Sequence, residues 1–379
     1  MSRGKEARMA PSIMALLQEL PDPRGRRGRR HRLDEIMVIA ILAVICGAEG
    51  WTDMEEFGQS KEEWLRSVLD LKHGIPSHDT FGDVFAVLDP GAFETCFRRW
   101  TEAIAGEIEG VVTLDGKTLR RSFDRASKKA AIHMISAWAS DNGVVFGQLA
   151  TNEKGNEITA IPQLLRMLAL KGLIVTIDAM GCQKAIAGQI IEQGAEYVLQ
   201  VKGNQPELLE DVERAFRWAE RRGFAAIRHA VSEVTEKGHG RIETRRATVM
   251  WMLDLVRSRD DWPGLRCLIR VKCMRVIGQE RTMRRHFYIS SVQTRRSEEL
   301  ARLCRQHWSI ENQLHWSLDV SFGEDGSRVR KGNAAQNLSR LRRLALNLLK
   351  RENTRRIGIK AKRLRAGWDH DYLIKVLRG

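Results

Sequence analysis

Hydrophobic residues follow two different patterns along the chain. From Leu33 to Trp100 they recur at intervals of three and four residues, which predicts helices. The apolar run Ile36–Ala48, preceded by Asp34 and Glu35, predicts a buried core helix with an acidic first turn. These thirteen residues are too few to cross a bilayer as a helix, so we expect no membrane span there. The pattern changes at Val111, where short apolar runs begin.

This second part of the chain predicts an open α/β sheet. Its elements come in the order strand, strand, strand, helix, strand, helix, strand, and ligands of such sheets bind beyond the strand ends. Two strands end at an aspartate, Asp115 and Asp178, and a third ends at Lys202. The predicted strands are Val111–Leu114, Ala131–Ala139, Val144–Ala150, Leu173–Ile177 and Tyr197–Val201, and the predicted helices are Ile158–Leu170 and Cys182–Gln193.

A β-rich block comes next. The segment Glu207–Arg222 has the spacing of an amphipathic helix, and four alternating segments follow it. The alternating segments predict the strands Ala226–Thr235, Ile242–Met252, Arg266–Val276 and Met283–Ser290. We therefore expect residues 207–290 to form an insertion between the sheet and the next helical segment.

The segment after this insertion places a carboxylate among apolar residues. If Glu298–Val320 is one helix, a rotation of about 100° per residue puts Glu311 on the apolar face. The neighbours on that face are Leu300, Cys304, His307, Leu314, His315 and Leu318. A buried carboxylate costs several kcal/mol unless something compensates it. A metal ion, a cationic partner or a proton could compensate Glu311, and the two strand-end aspartates could share the same metal.

Charge is concentrated at the end of the chain. The net charge is +15, and residues 326–379 carry sixteen Lys and Arg against three Asp and Glu. A basic end on a nearly neutral body favours a polyanionic partner, most simply nucleic acid. Six arginines between Pro21 and Arg32 suggest a second, phosphate-binding arm. The candidate phosphate ligands near the strand ends and in the basic end are Lys117, Arg120, Arg121, Lys184, Lys202, Arg328, Arg330 and Lys331.

Two further patterns concern the partner and the compartment. Predicted helices Lys61–Leu71 and His78–Leu88 flank a turn, with Ser77 as a possible N-cap, so they could form a helix-turn-helix DNA reader or simply pack in a bundle. The six cysteines show neither a C-x-x-C pair nor zinc spacing, which fits a reduced, cytoplasmic protein. The G-x-G-x-x-G and P-loop patterns of nucleotide-binding enzymes are absent after every predicted strand.

Five motifs together resemble one family. They are VVTLDGKTLRRS, LIVTIDAMGCQ, YVLQVKGNQ, HGRIETR and HWSIENQLHWSLDVSFGED. In this order they are similar to the H-repeat-associated proteins, insertion-sequence transposases of bacteria with an Asp-Asp-Glu triad. The resemblance runs from about Leu33 to Leu349.

The resemblance implies an RNase H-like catalytic fold with a β-rich insertion, preceded by a small helical domain. The triad corresponds to Asp115, Asp178 and Glu311, which would be catalytic and would bind two Mg²⁺ or Mn²⁺ ions. The partners implied are double-stranded DNA and a second copy of the chain on that DNA, at the nucleoid. The implied domains are a basic arm at 1–32, a DNA-end-binding domain at 33–105, a core at 106–206 and 291–350, the insertion at 207–290 and a basic tail at 351–379.

The residues alone leave several alternatives open. Related transposases carry Tyr, Arg and Lys around the glutamate, whereas this chain has Cys304, His307 and Leu318 there, so Glu324 and Asp325 compete with Glu311. His307, Glu311 and His315 lie four residues apart and could formally hold zinc. At the level of function, a non-catalytic DNA-binding protein and a stand-alone metal-dependent nuclease are the alternatives to a transposase.

Overall fold

Helices make up both ends of the described part of the chain. A computed structural model describes residues 13–25, 28–105, 108–123, 130–151, 157–238 and 240–378. The helices are Ile13–Gln18 (α1), Leu33–Cys46 (α2), Trp51–Ser60 (α3), Glu62–Leu65 (α4), His78–Val87 (α5), Pro90–Ala105 (α6), Glu157–Met167 (α7), Lys184–Glu192 (α8), Pro206–Arg221 (α9), Ser297–Gln306 (α10), Trp316–Phe322 (α11), Ala334–Arg351 (α12), Ile359–Trp368 (α13) and His370–Arg378 (α14).

The core helix predicted from the first apolar run is confirmed as α2. Every residue from Ile36 to Ile45 is at most 2% exposed, because the helix is apolar on all sides and other helices surround it. No helix in the described part of the chain is long and apolar enough to cross a membrane.

The basic end of the chain belongs to the same core as α2. Side chains of α12, α13 and α14 join those of α1–α6 in one apolar cluster, so residues 351–378 do not form the predicted tail. Five of the basic side chains in this part are buried, namely Arg340, Arg342, Arg343, Lys362 and Arg363. Part of the positive charge that the sequence analysis assigned to a polyanionic partner is therefore used inside the fold.

Of the two alternatives for the predicted helices Lys61–Leu71 and His78–Leu88, the structure favours packing in a bundle. The first of the two helices, α4, is a single turn of four residues, followed by turns up to Ser77. Ser77 does cap α5, since its hydroxyl accepts a bond from the Thr80 amide. The buried side of α5 carries Phe81, Val84 and Phe85, which pack in the helical core.

The arginine-rich segment before α2 is folded as a loop where it is described. Arg24 pairs with Asp22 at 2.9 Å and donates to the His31 carbonyl at 2.8 Å. Arg29 donates to the backbone carbonyls of residues 22 and 24. Two of the six arginines thus hold the loop, while Arg26 and Arg27, like residues 1–12 of the predicted arm, lie outside the described residues.

Nine strands in the described residues form one sheet. They are Val111–Thr118 (β1), His133–Ala139 (β2), Val144–Thr151 (β3), Ile174–Ile177 (β4), Glu196–Val201 (β5), His229–Gly238 (β6), Arg241–Met250 (β7), Cys267–Ile277 (β8) and Glu280–Ser290 (β9). Their order is β3-β2-β1-β4-β5-β9-β8-β7-β6, with β1, β4 and β5 parallel. The predicted α/β sheet is confirmed, but the β-rich block continues this sheet through the pairing of β9 with β5.

The two faces of the sheet are covered by different helices. Helices α7, α8 and α9 pack on one face, where Val112 and Leu114 of β1 point. Helix α10 packs on the other face, where Val111 of β1 and Tyr288 of β9 point. We call these the α7–α9 face and the α10 face. Because side chains alternate along a strand, the face of every strand residue follows from these contacts.

Strands β6 to β9 extend past the edge at which β4 and β5 end. Val201, the last residue of β5, pairs with Phe287, so residues 280–286 of β9 lie beyond that edge. We call the part formed by 232–238, 241–246 and 272–286 the extension. Most of its side chains are exposed, because no described helix covers either of its faces completely.

Candidate active site

Asp115 and Asp178 occupy neighbouring positions at one edge of the sheet. The last parallel pair of β1 and β4 is Leu114 with Ile177, and each aspartate is the next residue. Two residues earlier, the Thr176 hydroxyl donates to the Thr113 hydroxyl at 3.0 Å. Alternation then places both aspartates on the same α10 face as the threonine pair. The predicted end of β1 at Leu114 was too early, because β1 continues to Thr118 in antiparallel pairing with β2.

Both aspartates lie where charge is disfavoured. The pKa of Asp115 is raised to about 7, mainly by burial and also by the charges of Asp178, Glu311 and Glu157, whereas a bond from the Gly116 amide lowers it. Burial also raises the pKa of Asp178, where the charge of Glu157 adds to the effect. This edge therefore concentrates negative charge with little local compensation.

Glu311 reaches this site from a broken helix. A turn at residues 307–308 ends α10, and a π-helical turn, Glu311–His315, precedes α11. The prediction of one regular helix with a buried Glu311 is wrong, because the wider π-helical turn changes the rotation per residue and leaves Glu311 exposed. Its charge nevertheless acts on Asp115, so the side chains of the first and third members of the expected triad are close enough for their charges to interact.

Polar contacts fix the segment that carries Glu311 above the strands. The Ser309 and Ser140 hydroxyls are 3.2 Å apart, and the Gln306 amide donates to Asp141 at 3.0 Å. On the other side of Glu311, Lys117 donates to Asp319 at 2.6 Å. These contacts tie the segment to β1 and to the end of β2, and so hold Glu311 near Asp115.

The two histidines beside Glu311 are not cationic partners for it. Burial lowers the pKa of His307 to about 4 and that of His315 to about 3, so both rings are neutral at pH 7. The His315 Nδ1 atom lies 3.5 Å from Asp115 Oδ2. The three residues of the zinc alternative do not form a metal site. Within the described ranges, no three His, Cys, Asp or Glu side chains lie close enough around one point to hold a metal ion.

The competing carboxylates after α11 have other partners. Glu324 is completely buried, accepts bonds from Arg343 at 2.9 Å and from Ser339 at 2.8 Å, and so neutralises a buried guanidinium. Asp325 accepts from Lys117 at 2.7 Å and lies 3.3 Å from Arg120. Both side chains therefore serve ion pairs.

The predicted phosphate-binding residues fall into two groups. Several are held by carboxylates: Lys117 is buried between Asp319 and Asp325, Lys184 pairs with Asp261 at 2.6 Å, Lys331 pairs with Asp83 at 2.6 Å, and Arg120 lies 3.3 Å from Asp325. Lys117 differs most from the prediction, because burial leaves it no surface for a phosphate.

The other predicted residues are more open. Arg121, Lys202 and Arg328 are exposed, and none has a carboxylate within 4.0 Å in the described part of the chain. Arg330 donates to the Arg121 carbonyl at 3.0 Å. Arg328, Arg330 and Lys331 line a groove of about 730 Å³ against the start of α5.

Sequence reasoning missed a buried pair beside Asp115. His133 Nε2 of β2 lies 2.5 Å from Glu157 Oε1 at the start of α7, and Thr118 Oγ1 lies 2.9 Å from His133 Nδ1. Glu157 is 6% exposed, and its charge acts on both aspartates. No signal in the sequence singles it out, because an acidic residue in the first turn of a helix is usual for electrostatic reasons.

This pair makes Gly116 sensitive to substitution. A Cβ atom on residue 116 would overlap His133 Nε2 and come 2.7 Å from Glu157 Oε1. We expect Gly116→Ala to lower the free energy of unfolding by about 1–3 kcal/mol, the usual cost of overpacking. Gly203→Ala is the matched control, because Gly203 follows β5 and has open space around it. Equal urea midpoints for the two variants would contradict the predicted overlap.

The residues present fit a divalent metal by the chemistry of their donors. Two neighbouring half-buried aspartates and Glu311 offer only carboxylate oxygens, which Mg²⁺ prefers, and a cation there would relieve the repulsion that contributes to the raised pKa of Asp115. In the described residues the three carboxylates do not already surround one point. Their role as metal ligands thus stays a prediction.

Comparison with known proteins identifies the family of the chain. Residues 106–348 match the model of the transposase DDE domain, and residues 14–101 match the model of the domain associated with it. A protein of Escherichia coli named "H repeat-associated putative transposase YhhI" is 40% identical over 373 residues, which covers 97% of this chain and 98% of that protein. "Putative transposase YncI" from the O157:H7 strain is 38% identical over 371 residues, covering 97% and 94%. The chain therefore belongs to the H repeat-associated transposases, a family with the transposase DDE domain.

Proposed function

We propose that the protein is a metal-dependent DNA transposase, which cleaves and joins the ends of its own insertion sequence. The observation that supports this most directly is the placement of Asp115 and Asp178 after the last parallel pair of β1 and β4, with the charge of Glu311 acting on Asp115. The DDE domain of the family supports the same reaction class.

Asp115, Asp178 and Glu311 would hold two Mg²⁺ or Mn²⁺ ions. When bound, such ions activate an oxygen nucleophile and stabilise the leaving oxygen of a phosphodiester. The chain itself positions the three carboxylates: the threonine pair and the strand register fix the aspartates, and the Ser309 and Asp319 contacts fix the Glu311 segment. The exposed Glu311 can move toward the aspartates without breaking a buried contact.

The DNA partner is inferred from the family and from the positive side chains on the surface. Double-stranded element ends and target DNA would be bound by two copies of the chain, in the cytoplasm at the nucleoid. The groove lined by Arg328, Arg330 and Lys331 is one candidate path for the backbone, since it lies between the helical core and the loop after α11. We expect its affinity for DNA to depend strongly on salt.

The test is an incubation of the protein with element-end DNA and Mg²⁺, with the products separated by strand. We expect nicked and joined products from the wild type and none from Glu311→Gln. Glu298→Gln removes the same charge from an exposed position on α10 and should leave the products unchanged.

The products also separate the alternatives. Cleavage without joining would identify a stand-alone nuclease. Binding without any cleavage, in the presence of Mg²⁺ or Mn²⁺, would identify a non-catalytic DNA-binding protein and refute the proposal.

A further inference from the structure

Two cationic side chains lie near the aspartates, on a strip of the sheet surface formed by the end of β5 and by β9. Lys202 follows the end of β5, and its charge acts on Asp178. Arg284 lies on the neighbouring strand β9, in the extension. Both charges act on His286, which lies between them in this region and whose Nδ1 atom is 3.1 Å from Gln200 Nε2. This strip therefore runs from the edge of the sheet that carries the aspartates into the extension.

The side chain of Arg284 points to the α10 face. Tyr288 of β9 packs with α10, and Arg284 and His286 lie four and two residues before it, on the same face. The His286 ring also meets the Trp308 ring, which follows α10, at 6.3 Å. This is the face on which Asp115 and Asp178 lie. The next residue, Arg285, points to the α7–α9 face together with Phe287, whose ring is 6.0 Å from that of Phe216 in α9.

Three other arginines on the same side of the sheet are already neutralised. Arg245 pairs with Glu236 and Glu243, Arg275 pairs with Glu243, and Arg305 pairs with Glu236. Lys202 and Arg284 are exposed, and across the described ranges neither has a carboxylate within 4.0 Å. These two positive charges are therefore available to an anion from outside the chain.

The chemistry of the two groups selects the anion. A guanidinium presents only donors, in a planar fork that matches two oxygens of a phosphate, and an ammonium adds a mobile point charge. The nearby carboxylates of the site would repel a free anion. A nucleic acid strand is different, because it carries a series of phosphates. If its reacting phosphodiester lies at the metal ions, neighbouring phosphates of the same strand pass Lys202 and Arg284.

We propose that Lys202 and Arg284 form a phosphate-binding site, which holds the backbone of the DNA strand on the α10 face of the extension. The site rests on the proposed function and adds the path of the substrate strand to it. The strand leaves the aspartates along β5 and β9, and the opposite face of the extension stays free of it.

The two neighbouring arginines provide the test. DNA affinity is measured without metal, as a function of salt, for Arg284→Ala, for Arg285→Ala and for the double variant Lys202→Ala with Arg284→Ala. Loss of one phosphate contact lowers affinity by about tenfold at 0.1 M salt and lowers the salt slope by about one. We expect this for Arg284→Ala, a larger loss for the double variant, and no change for Arg285→Ala.

Two outcomes would overturn the site. Equal losses for Arg284→Ala and Arg285→Ala would indicate general attraction to a basic extension, and a loss confined to Arg285→Ala would place the strand on the other face. Thermal melting of each variant checks that the fold is intact, and all three positions are exposed, so none of the changes should unfold the protein. The proposed function is tested separately, by measuring whether the wild type cleaves DNA with Mg²⁺.

Discussion

Replacing Asp115 by asparagine is expected to abolish DNA cleavage while leaving DNA binding unchanged. The residue lies next to Asp178 at the edge of the sheet, and neutral asparagine removes one of the charges that would hold the metal ions. Losing several kcal/mol of transition-state stabilisation corresponds to a rate decrease of about 10³-fold or more. The measurements are single-turnover cleavage of element-end DNA with Mg²⁺ and binding of the same DNA in EDTA.

Asp178→Asn should give the same result, because the two strands are adjacent and in register. Asp260→Asn is a suitable control, since the side chain of Asp260 is 92% exposed and lies between β7 and β8, outside the contacts that hold the site. Wild-type cleavage by either Asp115→Asn or Asp178→Asn would remove the aspartates from the mechanism.

Asp115→Asn should also change how the free energy of unfolding depends on pH in the absence of metal. The pKa of Asp115 rises on folding from the usual value of 3.8 to about 7, so the folded state retains a proton that the unfolded state releases. Stability due to this group is therefore lost as the pH rises from about 4 to about 7, by a few kcal/mol in total. Asp115→Asn should show a smaller decrease over that range, measured by urea unfolding in EDTA. Identical pH profiles for the two proteins would contradict the burial of an uncompensated carboxylate.

Glu324→Gln is expected to be among the most destabilising single changes in the chain. Glu324 and Arg343 are both completely buried and 2.9 Å apart, so the change leaves a buried guanidinium without its counter-charge. Breaking one partner of such a pair costs about 3–5 kcal/mol. Glu311→Gln alters an exposed side chain and should change stability by less than about 0.5 kcal/mol. Thermal melting of the two variants measures the difference.

The activity of the same two variants separates structure from catalysis. Under conditions where Glu324→Gln is folded, it should still cleave DNA, whereas Glu311→Gln should be folded and inactive. The reverse pattern would assign the third carboxylate to Glu324 and would require Arg343 to leave its present contact.

The sequence was sufficient to predict the sheet and the position of Asp115 and Asp178 after two of its strands. Apolar runs that stop at Asp115 and Asp178 reflect strands buried on both faces, and burial is what a hydrophobic pattern reports. The exposure of Glu311 could not be predicted, because the turn at residues 307–308 and the π-helical turn interrupt the helical period without a proline or glycine to mark them.

Long-range partners were equally invisible in the sequence. Arg340 is neutralised by Glu94, 246 residues away, and Arg343 by Glu324. A run of basic residues predicts solvent exposure unless such partners are known, and the partners are fixed only by tertiary packing. Glu157 illustrates the same limit, since its contact with His133 depends on how α7 sits over β2.

The shared core of the first and last helices has a consequence for synthesis on the ribosome. Helix α2 is buried on every side, and part of its cover comes from α12 and α13; Arg363 of α13 donates to the carbonyl of Val44 across 319 residues. Until those last helices emerge, the nascent chain carries an apolar helix without its full partners, a state prone to aggregation and to chaperone capture. A premature stop codon late in the gene would leave that state permanent, so even a short 3′ deletion in the element should remove the protein altogether.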